Sequence, residues 1–241
     1  AEKIRRTLGH LAKANLEYRH PFTIEREVRR VAFCIVSSDR GLCGGLNMNV
    51  FRSVVREVRE WKDKGVDVEF VLIGNKAVSF FKRLGGKVHA TATHLGDRPH
   101  LEQLVGVIKV LTDVFRDGSV DRVYLVSNQF VNTMTQRPTV AQLLPIEPVE
   151  SEGMLEHWDY LYEPNSTELL DDVLTRYVES QVYQAVIENV ASEQSARMVA
   201  MKAASDNAGK IINQLQLAYN KARQANITKE LAEIVGGAAA V

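Results

Sequence analysis

Cysteine is scarce in this 241-residue sequence, which holds only Cys34 and Cys43. The two form no CxxC pair and the six histidines are scattered, so neither a zinc site nor a disulfide framework is indicated. A reducing, cytoplasmic location fits that usage best. No apolar run approaches the roughly 18 to 20 residues of a membrane-spanning helix, and no secretory signal opens the chain. Any membrane association is therefore expected to go through a partner. Excess charge is missing too: Lys plus Arg number 30 and Asp plus Glu number 30. Such a chain has no global field to draw in nucleic acid or an anionic bilayer. What is present, 45% apolar and 25% charged side chains, is enough for one good core plus an additional element.

Two parts differ in character. From about Arg30 to Gln129 short β-branched runs alternate with amphipathic stretches, the pattern of a parallel sheet covered by helices. The predicted strands are Val31 to Ser37, Asp67 to Ile73, Lys87 to Thr91 and Asp121 to Ser127. Predicted helices lie near Asn49 to Trp61, Lys76 to Leu84 and Leu101 to Phe115, and Gly65, Gly85, Gly86 and Gly118 fall at the turns. This is the α/β class, Rossmann-like in its order of elements. Residues 130 to 165 contain Pro138, Pro145, Pro148 and Pro164. They are expected to form short strands and loops, with Asp159 to Tyr162 a candidate edge strand.

No proline follows Pro164, and a helix is expected to start with Asn165 or Ser166 as its cap. Its first half carries Leu170, Val173, Leu174, Tyr177, Val178, Val182, Ala185, Val186 and Val190, an apolar stripe suited to docking. Further on the period becomes seven, with Met201, Ala208, Leu215 and Ala222 on one seam and Ala204, Ile211, Ala218 and Ala225 on the other. That is a coiled-coil register. A helix of about 70 residues would span on the order of 100 Å, against a radius of gyration of about 18 Å for a compact chain of this length, so it is expected to protrude. Ala1 opens the sequence inside a helical pattern, with Ile4, Leu8, Leu11 and Ala12 on one face. Residues 1 to about 16 are too short to line the whole seam, so the expectation is that the antiparallel partner helix continues upstream of Ala1.

The loop Asp39 to Asn47, DRGLCGGLN, follows a strand and precedes a helix, where glycine-rich loops cradle phosphate. Gly41, Gly44 and Gly45 fit neither GxGxxG nor the Walker spacing, and no acidic residue ends the second strand. Nucleotide binding and a tight structural turn are the two readings. Ser37, Ser38 and Asp39 lack a nearby histidine to act as base. His89, His94 and His100 read as solvated loop residues, and Cys34 as a small core residue.

The tail is more specific. Ile227, Thr228, Glu230, Glu233, Gly237 and Ala238 match, position by position, the tail signature of the gamma subunits of F-type ATP synthases, and DRGLCGGLN matches a second signature of that family. The stretches VSNQFVNTM, WDYLYEP, RYVESQVYQ and ENVASEQSARMVAMKAASDNA also resemble it, so the likeness covers Ala1 to Val241. The likeness implies a bacterial central rotor shaft. Residues 1–25 would end an N-terminal coiled-coil helix, 26–165 would form an α/β foot, and 166–241 the shaft helix. It further implies alpha and beta subunits around the shaft, an epsilon subunit and a ring of c subunits at the foot, and a peripheral place on the cytoplasmic face of the inner membrane. No catalytic residue, cofactor or metal belongs to such a subunit. Arg223, Gln224, Thr228, Glu230 and Glu233 are the partner-binding residues it implies, the first three hydrogen-bonding a beta-subunit loop as a catch.

Overall fold

The computed structural model describes residues 20–146 and 166–238. The predicted helix of residues 1 to 16 and the candidate strand Asp159 to Tyr162 lie outside them. After a single 3-10 turn at Pro21–Thr23 the elements are β1 (Arg30–Val36), α1 (Leu46–Asp63), β2 (Asp67–Ile73), α2 (Asn75–Leu84), β3 (Lys87–Ala92), α3 (Glu102–Arg116), β4 (Arg122–Asn132), β5 (Thr135–Leu144) and α4 (Ser166–Ala238).

The strands form one sheet in the order β3-β2-β1-β4-β5. β1 pairs in parallel with both β2 and β4, and β2 with β3. Chain order reverses at β1 and β4, so the crevice between their carboxyl ends is the point where open α/β sheets usually take a ligand.

Alternation along β1 sorts the core into two layers, because successive side chains of a strand point to opposite faces. Val31, Phe33 and Ile35 meet Val50, Val54 and Val58 of α1 and Phe81 of α2. Ala32, Cys34 and Val36 join Leu104, Ile108, Leu111 and Phe115 of α3 on the other side. The same second layer takes in Leu170, Leu174, Tyr177, Val178, Val182, Ala185 and Val186 of α4. The predicted docking stripe is thus the buried face of α4, with Val173 and Val190 at its margins.

The parallel pairing expected between Arg30 and Gln129 is what β1 to β4 show, and β5, beyond that range, makes the sheet mixed by running antiparallel to β4. One expectation is corrected: residues 130 to 144 are far more regular than the prolines suggested. β4 extends to Asn132 and turns back on itself, the Asn132 carboxamide oxygen accepting from the backbone N–H groups of Met134 and Thr135 at 3.0 and 2.8 Å. Pro138 sits within β5, opposite Asn128. β5 is an edge strand of the sheet, where a residue without an N–H group is tolerated.

The contacts divide the chain into two compact units whose boundary falls between Arg197 and Met198, inside α4. In the first unit α4 is buried periodically from Leu170 to Glu193. In the second, every described residue from Met201 to Ala238 is exposed. The seam residues Met201, Ile211 and Leu215 show 40%, 55% and 64% of their surface.

Candidate interaction surfaces

The glycine-rich loop is tied to the sheet by hydrogen bonds that its own sequence supplies. Oδ1 of Asp39 accepts from the N–H of Asn75 at 2.9 Å and Oδ2 from the N–H of Leu95 at 2.8 Å. One carboxylate therefore joins the loops after β1, β2 and β3 and caps the start of α2, whose preceding residue is a glycine with no capping side chain. Asn47 braces the other side. Its Oδ1 accepts from the N–H of Ser38, and its Nδ2 donates to the Ser38 hydroxyl at 2.7 Å and toward Cys43 Sγ at 3.4 Å. The turn needs left-handed backbone at Leu42 and Gly44, with φ of 64° and 59°. Leu42 pays that strain on the surface, 74% exposed. The loop geometry is that of a tight structural turn. Beside it Gly41, Leu42, Met48, Phe51, Lys76 and Arg83 line a shallow groove.

The carboxyl end of the sheet is covered by α4 of the same unit. Asn128, the second residue of β4 beyond its pairing with β1, donates from Nδ2 to Oδ1 of Asn189 at 2.9 Å, both side chains buried. Ser192 and Glu193 are buried one turn further on. Arg197 pairs with Glu193 and donates to the carbonyl of Gly41 at 3.4 Å. Asp97 accepts from Gln194 at 3.2 Å and is ion-paired with Arg40 of the glycine-rich loop. The hydrogen bond and charge of Arg40 hold the Asp97 carboxyl below its ordinary range, and the hydrogen bond and charge of Asp97 raise the Arg40 guanidinium in turn. Where a nucleotide would lie across the ends of β1 and β4, this chain lays its own helix.

The isolated titratable groups divide differently from expectation. Burial pushes the Cys34 thiol up to about 12, so it is protonated at neutral pH and inert as a nucleophile. His94 and His100 are exposed, as expected for loop residues. His89 is a correction. It stands on β3, its side chain only 9% exposed, with Nε2 bonded to the buried carboxylate of Glu69, which Lys87 also approaches at 3.5 Å. A bulge between the Phe70 and Val71 positions of the β2–β3 ladder offsets their register at this place. His20 was not singled out in the sequence, yet it is buried and bonds Asp171 of α4 at 2.8 Å, and Arg116 joins the same carboxylate at 3.1 Å. Among the described residues no group of three or more His, Cys, Asp or Glu is placed to hold a metal ion, and no helix is long and apolar enough to cross a membrane.

The five residues expected to bind partners lie in the second unit, all exposed on α4. At about 100° of rotation per residue, Arg223 and Glu230 share a strip with Ile227 and Ile234. Gln224 and Thr228 occupy the adjoining sector with Leu231. Glu233 faces away on the other flank, where Lys229 approaches it at 3.8 Å. The helix therefore spreads the five over more than half of its circumference, with Thr228 and Glu233 at the extremes and Arg223 and Glu230 between them, and does not put them on one face.

Comparison with known proteins adds the family. Residues 1–241 match the family described as ATP synthase. A curated relative, the ATP synthase gamma chain of Nitrosococcus oceani, is 62% identical over 244 residues, covering 100% of this chain and 84% of that one. Among solved structures, a chain of the Euglena gracilis mitochondrial ATP synthase, described as OSCP/F1/c-ring in rotational state 3, is similar with a TM-score of 0.68 at 20% identity. That match covers 99% of this chain and 88% of the other. A chain of the Tetrahymena thermophila mitochondrial ATP synthase, described as central stalk/c-ring, is similar at a TM-score of 0.58 and 21% identity, covering 85% of each chain. These two share the fold.

Proposed function

The chain belongs to the ATP synthase gamma-chain family, and from that premise we propose that it is the central rotor shaft, coupling rotation of a membrane ring to conformational change at nucleotide sites held by other subunits. The observation that carries the reading is α4. It is one helix of 73 residues, rooted along its first part in the sheet and fully exposed from Met201 to Ala238. An isolated helix with so much uncovered apolar surface is at most marginally stable in water, so the reading gives it neighbours: the end of an N-terminal helix on the seam and a sleeve of alpha and beta subunits outside.

Turning inside a sleeve sets a physical requirement. A buried ion pair costs several kcal/mol to break, so a shaft surface rich in deep ionic contacts would stall at one angle. The tail offers Ile234, Val235, Gly236, Gly237 and Ala238 instead, small and apolar. Just before it Arg223, Gln224 and Thr228 supply shallow polar contacts. An Arg to carboxylate hydrogen bond is worth about 1.5 to 3 kcal/mol, enough to favour one dwell angle without locking it. In this reading Arg223 is the centre of the catch, Gln224 and Thr228 its second strand of contacts, and Glu230 and Glu233 flank it.

The α/β unit is then the foot, meeting the epsilon subunit and the c ring on the cytoplasmic face of the bacterial inner membrane, and it reaches the bilayer only through them. It carries no active site, cofactor or metal of its own in this reading, because α4 lies where an open α/β sheet would take its ligand. Replacing Arg223 by Ala in the assembled complex is expected to lower steady-state ATP turnover about 10-fold, as the loss of one such bond allows, with the melting of the foot unchanged. Unaltered turnover would remove the catch.

A further inference from the structure

Strand β4 outruns the sheet. Its pairing with β1 ends at Val126, and from Ser127 to Asn132 it is paired with β5 alone. The two-stranded ribbon so formed extends about 20 Å, at roughly 3.3 Å per residue, and turns at Thr133 and Met134. It projects past the carboxyl end of the sheet, the end toward which α4 also runs. α4 starts beside the amino end, where Asp171 meets Arg116, the last residue of α3. It reaches the carboxyl end where Arg197 donates to the Gly41 carbonyl in the loop after β1.

The ribbon is also unlike the rest of the sequence in composition. From Ser127 to Ile146 the one charged side chain is Arg137, in a chain of which 25% is charged. Phe130, Val131 and Met134, at and beside the turn, leave 39%, 50% and 76% of their surface exposed. Exposed strand edges ordinarily carry charge that keeps other chains from pairing with them, and a lone pair of strands is marginal in water. Apolar side chains on its tip stabilise nothing while they face solvent. A tip with this chemistry marks a protein contact. The surface it meets is uncharged as well, because a facing carboxylate or ammonium would be desolvated with no counter-charge on the tip.

We infer that the tip of the β4–β5 ribbon, Phe130 to Met134, bears on an uncharged part of the rim of the alpha and beta sleeve and slides along it. The inference rests on the shaft reading, which sets the sleeve at the end of the sheet toward which α4 runs, and it gives the sheet unit a bearing of its own, apart from the tail. Apolar contact suits sliding because it has no direction, whereas an ion pair desolvated at one angle would hold the rotor there. Met134→Cys carrying a benzophenone maleimide tests the contact by photolysis of the complex assembled with alpha, beta, epsilon and c subunits; Cys34 and Cys43 are buried and do not compete for the label. Adducts with alpha or beta are expected. Adducts confined to epsilon, to c or to the chain itself, or no adduct at all, overturn the contact. Phe130→Asp with Met134→Asp tests the sliding. Carboxylates on the tip are expected to slow steady-state ATP turnover about 10-fold, the equivalent of about 1.4 kcal/mol added at each passage. Tm of the chain is expected to stay at the parent value, because both side chains are exposed. Turnover at the parent rate overturns the bearing, and so does a fall in Tm large enough to account for the lost turnover. The readouts also separate the tip from the shaft. Sleeve adducts in complexes that hydrolyse ATP with the sheet unit fixed leave the contact standing and remove both sliding and shaft. Rotating complexes that give no sleeve adduct remove the contact and leave the shaft.

Discussion

At single residues, the loops after β1, β2 and β3 hold the most sharply determined chemistry. Gly74 has φ of 95°, and a Cβ built on it would stand 2.2 Å from the carbonyl oxygen of Ser37. Neither the conformation nor the contact can be relieved cheaply, since the obstacle is backbone of β1's own exit. Gly74→Ala is expected to cost about 3 kcal/mol or more, read as a lowered midpoint in urea unfolding; a loss below about 1 kcal/mol would contradict the geometry. Asp97 makes a second test through pH. Its carboxyl is held low chiefly by the hydrogen bond and charge of Arg40, with smaller contributions from Arg197 and Gln194. A carboxyl depressed in the folded state binds fewer protons than in the unfolded state, so its contribution is present above the ordinary Asp range near about 3.9 and fades as pH falls through the lower folded value. The group is on the surface, so the effect is small and salt-sensitive. Asp97→Asn is expected to lower Tm at neutral pH and to converge with the parent in strong acid. A constant offset across that range would mean the carboxylate's charge is not involved.

Among the elements, legibility followed the range of the interactions. The strands β1 to β3 and the helices between them fall within a few residues of their expected places, because alternation and apolar periodicity are local signals. α1 starts earlier than expected, at Leu46, since the turn is closed by Gly44 and Gly45 and not by a capping side chain. The β4–β5 hairpin was hidden by Pro138, which reads as a strand breaker until it is known to lie on an edge. His89 was misread for a related reason. Its partner Glu69 lies 20 residues away and meets it only through a bulged ladder. The continuous helix α4 was visible from the absence of proline after Pro164, and its docking face from the stripe beginning at Leu170. What no periodicity could show was the seam beyond Ala185, where Asn189, Ser192 and Glu193 continue the buried face in polar residues. Asn128 and Asn189 are 61 residues apart, and each alone looks like an exposed amide.

For the molecule as a whole, the shaft reading comes down to one proposal: α4, buried against the sheet from Leu170 to Glu193 and exposed from Met201 onward, is the turning element of the assembled complex. The five residues proposed to bind partners are spread by helical rotation over more than half of the circumference of α4, Glu233 and Thr228 at the extremes. The shaft reading is tested most directly by immobilising the assembled alpha and beta subunits and attaching a bead to the sheet domain at Glu60→Cys, an exposed position on α1. With ATP supplied, the bead is expected to rotate continuously in one direction. A bead that stays fixed, or only jitters, while the same complexes hydrolyse ATP at their full rate would contradict the account.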